Sequence, residues 1–597
     1  MDKHYTAEKA VQAVISLMKA HRVKRVVVSP GTTNVTLVGS LQADSYFTLY
    51  SSVDERSAAY IACGLVAETG EPVALSCTGA TASRNYIPGL TEAYYRKLPI
   101  LAITSTQHPG RIGTYTAQVI DRSQQLKDIV MYSAQVMVPH TPEDEWAINV
   151  ELNKAFLALR KNGGGPAHIN LMTTYNKDFS VKELPSQRVI RHIGYQDSLP
   201  EIKGRRIGIR VGAHAAWSEK LTNAVDHFCE VYGAVVFCEH ISNYHGPYKV
   251  SAALLFAQEQ YMSPCREVDL EIYIGCVEGY GTPIHPKEVW RVNPDGEIRD
   301  KSHKITHVFQ MEEADFFHAY ANIASRWDAE DADITTEIAA EHDADSEHAY
   351  LGLCHTEIEK VASKVPELPF SNAWIAQQTG TRIPEGSVLH LGILNTMRTW
   401  NFFQVTGSVN CYANTGGFGI DGDISSLVGA SLANSDKLYF GIVGDLAFFY
   451  DMNVLGNRYF GKNIRLMLIN NGRGTEFRNY QHPAARFGED ADPYMAAAGH
   501  FGNQSRDLVR HYAGDLGFEY MSADSKESYL KNMERFLTPE VTDCPMLFEV
   551  FTDSKDESDV LKILYNIETS TRGTAKKVVK DVLGEKGTAV LKGLLKK

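Results

Sequence analysis

The sequence predicts an α/β protein of three parallel-sheet domains, and three observations carry that expectation. Its 597 residues exceed what one hydrophobic core organises, at roughly 100–200 residues per domain. Short apolar runs of strand length alternate with helical patterns along most of the chain. Several of those runs close on Gly, Asp, Asn or Thr, as in PVALSCTGA, KLYFGIVGD and IRLMLINN, where parallel strands hand over to helices and ligands gather.

In chain order, RVVVSPG, PVALSCTGA and LPILAITST read as strands of a domain over 1–185, with AEKAVQAVISLMKA and DERSAAYIACGLVAETG as its helices. The polar stretch YNKDFSVKELPSQ leads into a second domain, 186–365, with strands in GRRIGIRVGA, GAVVFCEH and LEIYIGCV. Its end is the acidic run Asp328–His348, read as a solvated helix and linker. A third domain, 366–555, has VLHLGI, KLYFGIVGD, IRLMLINN and PMLFEVF as strands, with LAFFYDMNVLGNRYF as a crossover helix. A basic tail, 556–597, has helical spacing and carries seven Lys and one Arg against one Asp and one Glu from Ser570 onward. Packing on an acidic face and binding of a surface or partner both fit that tail. The first and third domains share the same α/β rhythm.

Composition narrows the class. A net charge of −13 gives no reason to expect nucleic acid. The absence of a long apolar span or signal segment argues for the cytoplasm. Nine cysteines without a CxxC fit buried thiols better than disulfides or a zinc site. Neither a Walker lysine loop nor GxGxxG accompanies the strand ends, which leaves P-loop and dinucleotide readings little support. The spacing that remains is Asp445 at the end of GIVGD and Asn471 at the end of IRLMLINN. A right-handed crossover places the two in neighbouring strand-end loops. A carboxylate oxygen, an amide oxygen and a backbone carbonyl suit Mg²⁺ with phosphate and water completing its shell. A helix cap plus a turn is the alternative.

With Glu55 in DERSA and the loop NTGGFGIDG, the sequence resembles the thiamine-diphosphate enzymes, whose diphosphate motif is GD(G) followed by NN after about 25–30 residues. Within them it is most similar to the menaquinone-pathway 2-succinyl-5-enolpyruvyl-6-hydroxy-3-cyclohexene-1-carboxylate synthases, through VSPGTTN, VDERSAAYIACGLVAETGEPVALSCTGATA, AQVIDRSQ, VNPDGEIRD, NTGGFGIDG and VGDLAFFYDMNVL in that order. The resemblance implies pyrimidine-binding, central and diphosphate-binding domains, and a site shared between subunits of a homodimer or dimer of dimers. It implies that Glu55 tunes the cofactor's aminopyrimidine, that Gln118 acts beside the reacting carbon, and that Ile420 and the Phe418 carbonyl shape and hold the cofactor. Asp445 and Asn471 would hold Mg²⁺ by side chains and Arg473 by its carbonyl. Thr78, Asn414, Gly444 and Leu446 fall among the cofactor-binding positions. FAD is not expected, since the central region has no fingerprint for it.

The same resemblance marks departures. SPGTTN has Thr33, and NTGGF has Thr415, where the synthases carry arginines, and TPIHP around His285 replaces a basic element. Loss of such guanidinium pairs argues against isochorismate as acceptor. Arg398 in LGILNTMRTW falls where the synthases have the arginine that meets the donor's distal carboxylate, although a helix-surface arginine also fits. If Arg398 serves that task the donor is an acidic 2-oxo acid; otherwise pyruvate or another small one. Glu476 stands near a position that is apolar in the synthases, and His108 is a candidate substrate-pocket proton donor. The expected reaction is decarboxylation of a 2-oxo acid with C–C carboligation to a carbonyl or activated alkene. Simple decarboxylation and a non-catalytic scaffold remain the alternatives.

Overall fold

The structure is a computed structural model and describes residues 4–330, 349–499 and 505–570. The acidic run from 331 to 348 and the basic tail from 571 lie outside the described residues. In chain order the strands are β1 (Arg25–Val28), β2 (Thr48–Ser51), β3 (Val73–Cys77), β4 (Ile100–Thr106), β5 (Tyr132–Val136), β6 (Ala167–Met172), β7 (Arg191–Ile193), β8 (Ile207–Val211), β9 (Val235–Cys238), β10 (Lys249–Val250), β11 (Glu267–Ile274), β12 (His285–Val292), β13 (Ile305–Phe309), β14 (Val388–Leu391), β15 (Asn410–Tyr412), β16 (Tyr439–Gly444), β17 (Ile464–Asn470), β18 (Glu519–Ala523) and β19 (Met546–Phe551).

The chain divides into two compact units, Met1–Leu199 with Pro294–Gln310 and Pro200–Asn293 with Met311–Lys597. The first holds a six-stranded parallel sheet ordered β2, β1, β3, β4, β6, β5 and the parallel pair β13, β7. The second holds the parallel run β10, β9, β8, β11, β12 and a six-stranded parallel sheet ordered β15, β14, β16, β17, β19, β18. The shared rhythm of the first and third regions is a shared topology. Counted from its own first strand, the last sheet repeats the order of the first.

Strands covered on both faces are continuous apolar runs. Every residue of β3, β8, β9 and β17 is buried, and these are the strands the sequence displays. Edge strands differ, since β2 (TLYS) is mostly exposed and β15 (NCY) is three residues long, so neither shows an apolar run. The stretch LAFFYDMNVLGNRYF departs from the expectation of one crossover helix. The helix covers Asp445–Asp451 and tightens into a 3₁₀ turn over Met452–Gly456. Asp451 accepts from the Ser425 N–H at 2.5 Å and the Ser425 hydroxyl at 2.6 Å, which ties this helix end to the start of the helix Asp423–Ser431.

All nine cysteines are free thiols, and all but Cys276 and Cys544 are buried. Among the described residues no helix is long and apolar enough to cross a membrane.

Glu557 is a buried carboxylate that accepts from the Asn372 N–H at 2.9 Å, at the start of the helix Asn372–Thr379. Burial pushes its pKa up to about 7. A folded-state value above the unfolded one means the fold is favoured at low pH and loses that contribution as pH rises toward 7. Glu557→Gln keeps an acceptor for Asn372 and removes the charge. It is expected to be more stable than the parent at pH 8 by on the order of 1–3 kcal/mol, with the difference vanishing near pH 4.5, as read from denaturation midpoints across pH.

Candidate functional site

In the second unit, β16 pairs in parallel with β17, Gly444 opposite Ile469, so Asp445 and Asn471 follow strand ends at nearly the same level. The two asparagines part company there. Asn470 turns into the core, its amide donating to Glu549 Oε1 at 2.7 Å. Asn471 leaves its side-chain oxygen buried without a hydrogen-bond partner. Asp445 is buried, and burial pushes its carboxyl up to about 7 against backbone N–H groups that lower it, Leu446 at 2.8 Å among them. A buried carboxylate and an unsatisfied amide oxygen at one strand-end rim are the hard donor set that an oxygen-loving cation requires. Arg473 turns its guanidinium to Asp492 at 2.7 Å, so its backbone is what it can turn toward the rim. Among the described residues no group of three or more His, Cys, Asp and Glu is placed to hold a metal; the donors here are mixed. Leu446, in the helix that Asp445 opens, packs on the loop after Asn471: a Cβ added at Gly474 would lie 3.1 Å from its Cδ1.

The loop after β15 supplies the next wall. Phe418 sits at φ 54° and is half-exposed, a backbone state that costs energy in a bulky residue and gathers at functional sites. Ile420 packs half-buried on the sheet. The Asn414 amide donates to Asp423 Oδ1 at 3.2 Å and its oxygen accepts from the Ser426 hydroxyl at 3.0 Å. Thr415 is buried. Beyond β14, Leu394 also has a positive φ, 65°, and opens the helix Asn395–Trp400. That helix carries Arg398, whose guanidinium donates to the carboxylate of Glu476.

In the first unit, Glu55 begins the helix Glu55–Thr69, behind an Asp54 cap that accepts from the Arg56 N–H. The Asn85 amide donates to Glu55 Oε2 at 3.2 Å. Thr78 is the first residue after β3. A Cβ on its neighbour Gly79 would lie 2.9 Å from the Gln118 carbonyl, so glycine there lets the Gln118 loop approach. Ala80 and Gln118 both have positive φ, 56° and 63°. Thr33 is buried, its hydroxyl donating to the Ser105 carbonyl at 3.5 Å and its own carbonyl accepting from Thr173 at 2.7 Å. His108 is exposed and accepts from the Gly110 N–H at 3.0 Å. His285, in the second unit, pairs with Glu267 at 3.0 Å.

Sequence reasoning passed over Arg122. It is 5% exposed, donates through Nη2 to the Ser105 carbonyl at 3.2 Å, and leaves Nε and Nη1 buried without partners. Its place four residues after Gln118 in AQVIDRSQ is the signal that was available.

Residues 8–126 match the family described as thiamine pyrophosphate enzyme, N-terminal TPP binding domain. Among curated proteins, the chain is similar to 2-succinyl-5-enolpyruvyl-6-hydroxy-3-cyclohexene-1-carboxylate synthases. That of Bacteroides thetaiotaomicron is 29% identical over 585 residues, 94% of this chain and 99% of the relative. That of Phocaeicola vulgatus is 30% identical over 592 residues, again 94% of this chain and 99% of the relative. The chain belongs to the thiamine-diphosphate enzymes, in the branch of these synthases. This thiamine-diphosphate enzyme therefore spans essentially the whole length of its relatives.

The helix bearing Glu55 depends on a close helix–helix approach, since a Cβ on Gly89 would lie 2.4 Å from Ala59 Cβ and 3.1 Å from its backbone carbon. Gly89→Ala is expected to cost about 1–3 kcal/mol, read as a lowered denaturation midpoint. Because Gly89 lies in the matched thiamine pyrophosphate binding domain, residues 8–126, the substitution should also raise the thiamine-diphosphate concentration needed for half-maximal binding.

Proposed function

We propose that this enzyme uses thiamine diphosphate and Mg²⁺ to decarboxylate a 2-oxo acid and join the resulting acyl unit to an acceptor carbonyl or activated alkene. The observation that carries the reading is the buried Asp445 carboxylate at one rim with the partnerless Asn471 side-chain oxygen. When bound, the cofactor supplies a thiazolium carbon that adds to the ketone and accepts the electron pair freed by loss of CO₂. Asp445, Asn471 and the Arg473 carbonyl would hold the metal against the diphosphate. Gly444 and Leu446 flank Asp445, Asn414 lies in the loop after β15 and Thr78 directly follows β3, and each would be a cofactor contact. Phe418, through its backbone carbonyl, and Ile420 would hold the cofactor. Glu55 would hold a proton by a charge-assisted hydrogen bond to the aminopyrimidine, and Gln118 would orient the reacting groups.

The names of the relatives as synthases support C–C joining over simple decarboxylation. Buried Thr33 and Thr415 present no guanidinium to a carboxylate, which supports an acceptor other than isochorismate. The helix of Glu55 exposes Tyr60 and Ile61, with Val53 beside it. An apolar face of that kind supports self-association, as a homodimer or dimer of dimers.

Incubation of the purified protein with thiamine diphosphate, Mg²⁺ and a panel of 2-oxo acids, with and without carbonyl acceptors, tests the reading. Aldehyde released at full rate without an acceptor would sink C–C joining. Glu55→Gln is expected to lower turnover by on the order of 10²-fold or more with an unchanged melting temperature. Asp445→Asn removes a buried charge, so in the absence of metal it should melt no lower than the parent. On addition of thiamine diphosphate and Mg²⁺ the parent should gain thermal stability, and the variant should bind about tenfold or more weakly.

A further inference from the structure

Arg398 follows β14 and Glu476 follows β17, the strands on either side of β16, whose end carries Asp445. The two charges therefore meet at the rim where Asp445 and Asn471 lie. Their side chains are 34% and 18% exposed, and Arg398 Nη1 donates to Glu476 Oε1. Phe402 joins two tyrosines beside them, its ring 5.7 Å from Tyr280 and 5.8 Å from Tyr565. Burial pushes the Tyr565 hydroxyl up to about 12, with Glu476 acting in the same direction and Arg398 against it; Tyr480, four residues after Glu476, has its ring 6.2 Å from that of Tyr565. Glu476 is presented by constrained backbone. Its 3₁₀ turn Thr475–Arg478 is tied by the Gly474 N–H to the Ala496 carbonyl at 2.6 Å and by Arg478 to Asp492 at 3.0 Å.

A guanidinium whose charge a neighbouring carboxylate already neutralises attracts a second one weakly, and the Glu476 charge would repel it. An incoming carboxylate would displace Glu476 and leave that charge partly buried and unpaired. Resting on the reading proposed above, we infer that Glu476 is an internal occupant of the carboxylate seat of Arg398. The donor is then a 2-oxo acid with an uncharged side chain, and dicarboxylic 2-oxo acids are refused. The pair sets specificity by filling with the protein's own anion the place a substrate anion would need.

Glutarate, a dicarboxylate without the reactive ketone, reports on the seat independently of turnover. Titrated calorimetrically into the holoprotein with thiamine diphosphate and Mg²⁺, it is expected to bind Glu476→Gln about tenfold or more tightly than the parent, while Glu476→Asp, which retains the carboxylate, stays within about threefold. Adding Arg398→Gln to Glu476→Gln should abolish the gain. Glu476→Leu carries the same expectation should the Gln variant fold poorly. With turnover, the kcat/KM ratio of 2-oxoglutarate to pyruvate should rise by about tenfold or more in Glu476→Gln. A parent that binds glutarate as tightly as Glu476→Gln, or uses 2-oxoglutarate better than pyruvate, overturns the inference. A protein that turns over no 2-oxo acid while Glu476→Gln gains glutarate overturns the proposed function and leaves the occupied seat standing.

Discussion

A carboxylate buried at the end of a parallel strand, with burial raising its pKa to about 7, is the constraint around which the second unit is arranged. Asp445 can be held there only because β16 lies between β14 and β17 in one parallel sheet, which brings three strand ends to one rim. Peptide N–H groups from the helix start and the neighbouring loop meet the carboxylate, and the oxygen of Asn471 is left unsatisfied. In isolation this costs stability. Under the proposed function, a bound cation and the anion it carries would offset that cost.

The features legible in the sequence were those that local chemistry dictates. Continuous apolar runs announced β3, β8, β16 and β17, because strands covered on both faces leave no alternative. The neighbouring strand-end placement of Asp445 and Asn471 was legible because a crossover between adjacent parallel strands fixes it. What was hidden depended on partners distant in sequence. Asn470 and Asn471 are neighbours of the same type, and only the pleat and Glu549, 79 residues further on, send one into the core. Arg398 was read with its role open, and the ion pair that settles its surroundings comes from Glu476, 78 residues away. Thr33 and Thr415 were read as substrate-facing polar groups, and both are buried. Arg122 was passed over although it stands four residues after Gln118, because its burial depends on the fold around the Ser105 carbonyl.

Some of the strained backbone lies in these strand-end loops. Ala80 and Gln118 in the first unit, and Leu394 and Phe418 in the second, all have left-handed φ values without being glycine. Of these side chains only that of Gln118 carries a polar group. Such conformations persist where the surrounding fold over-determines them.

The repeated strand order has a consequence for how charge is distributed along the chain. β3 and β16 occupy the same place in their sheets, so Thr78 and Asp445 are counterparts, each the first residue beyond its strand. The helices that follow edge strands β2 and β15 are counterparts as well, and they begin with Glu55 and Asp423. One plan is thus written twice with its anions in different places. One copy has a neutral hydroxyl after its third strand and an accessible acid at its helix start. The other has a buried acid after its third strand, and its helix-start acid, Asp423, is buried too. The same strand order thus presents its acid after the third strand in the second unit and at the helix start in the first.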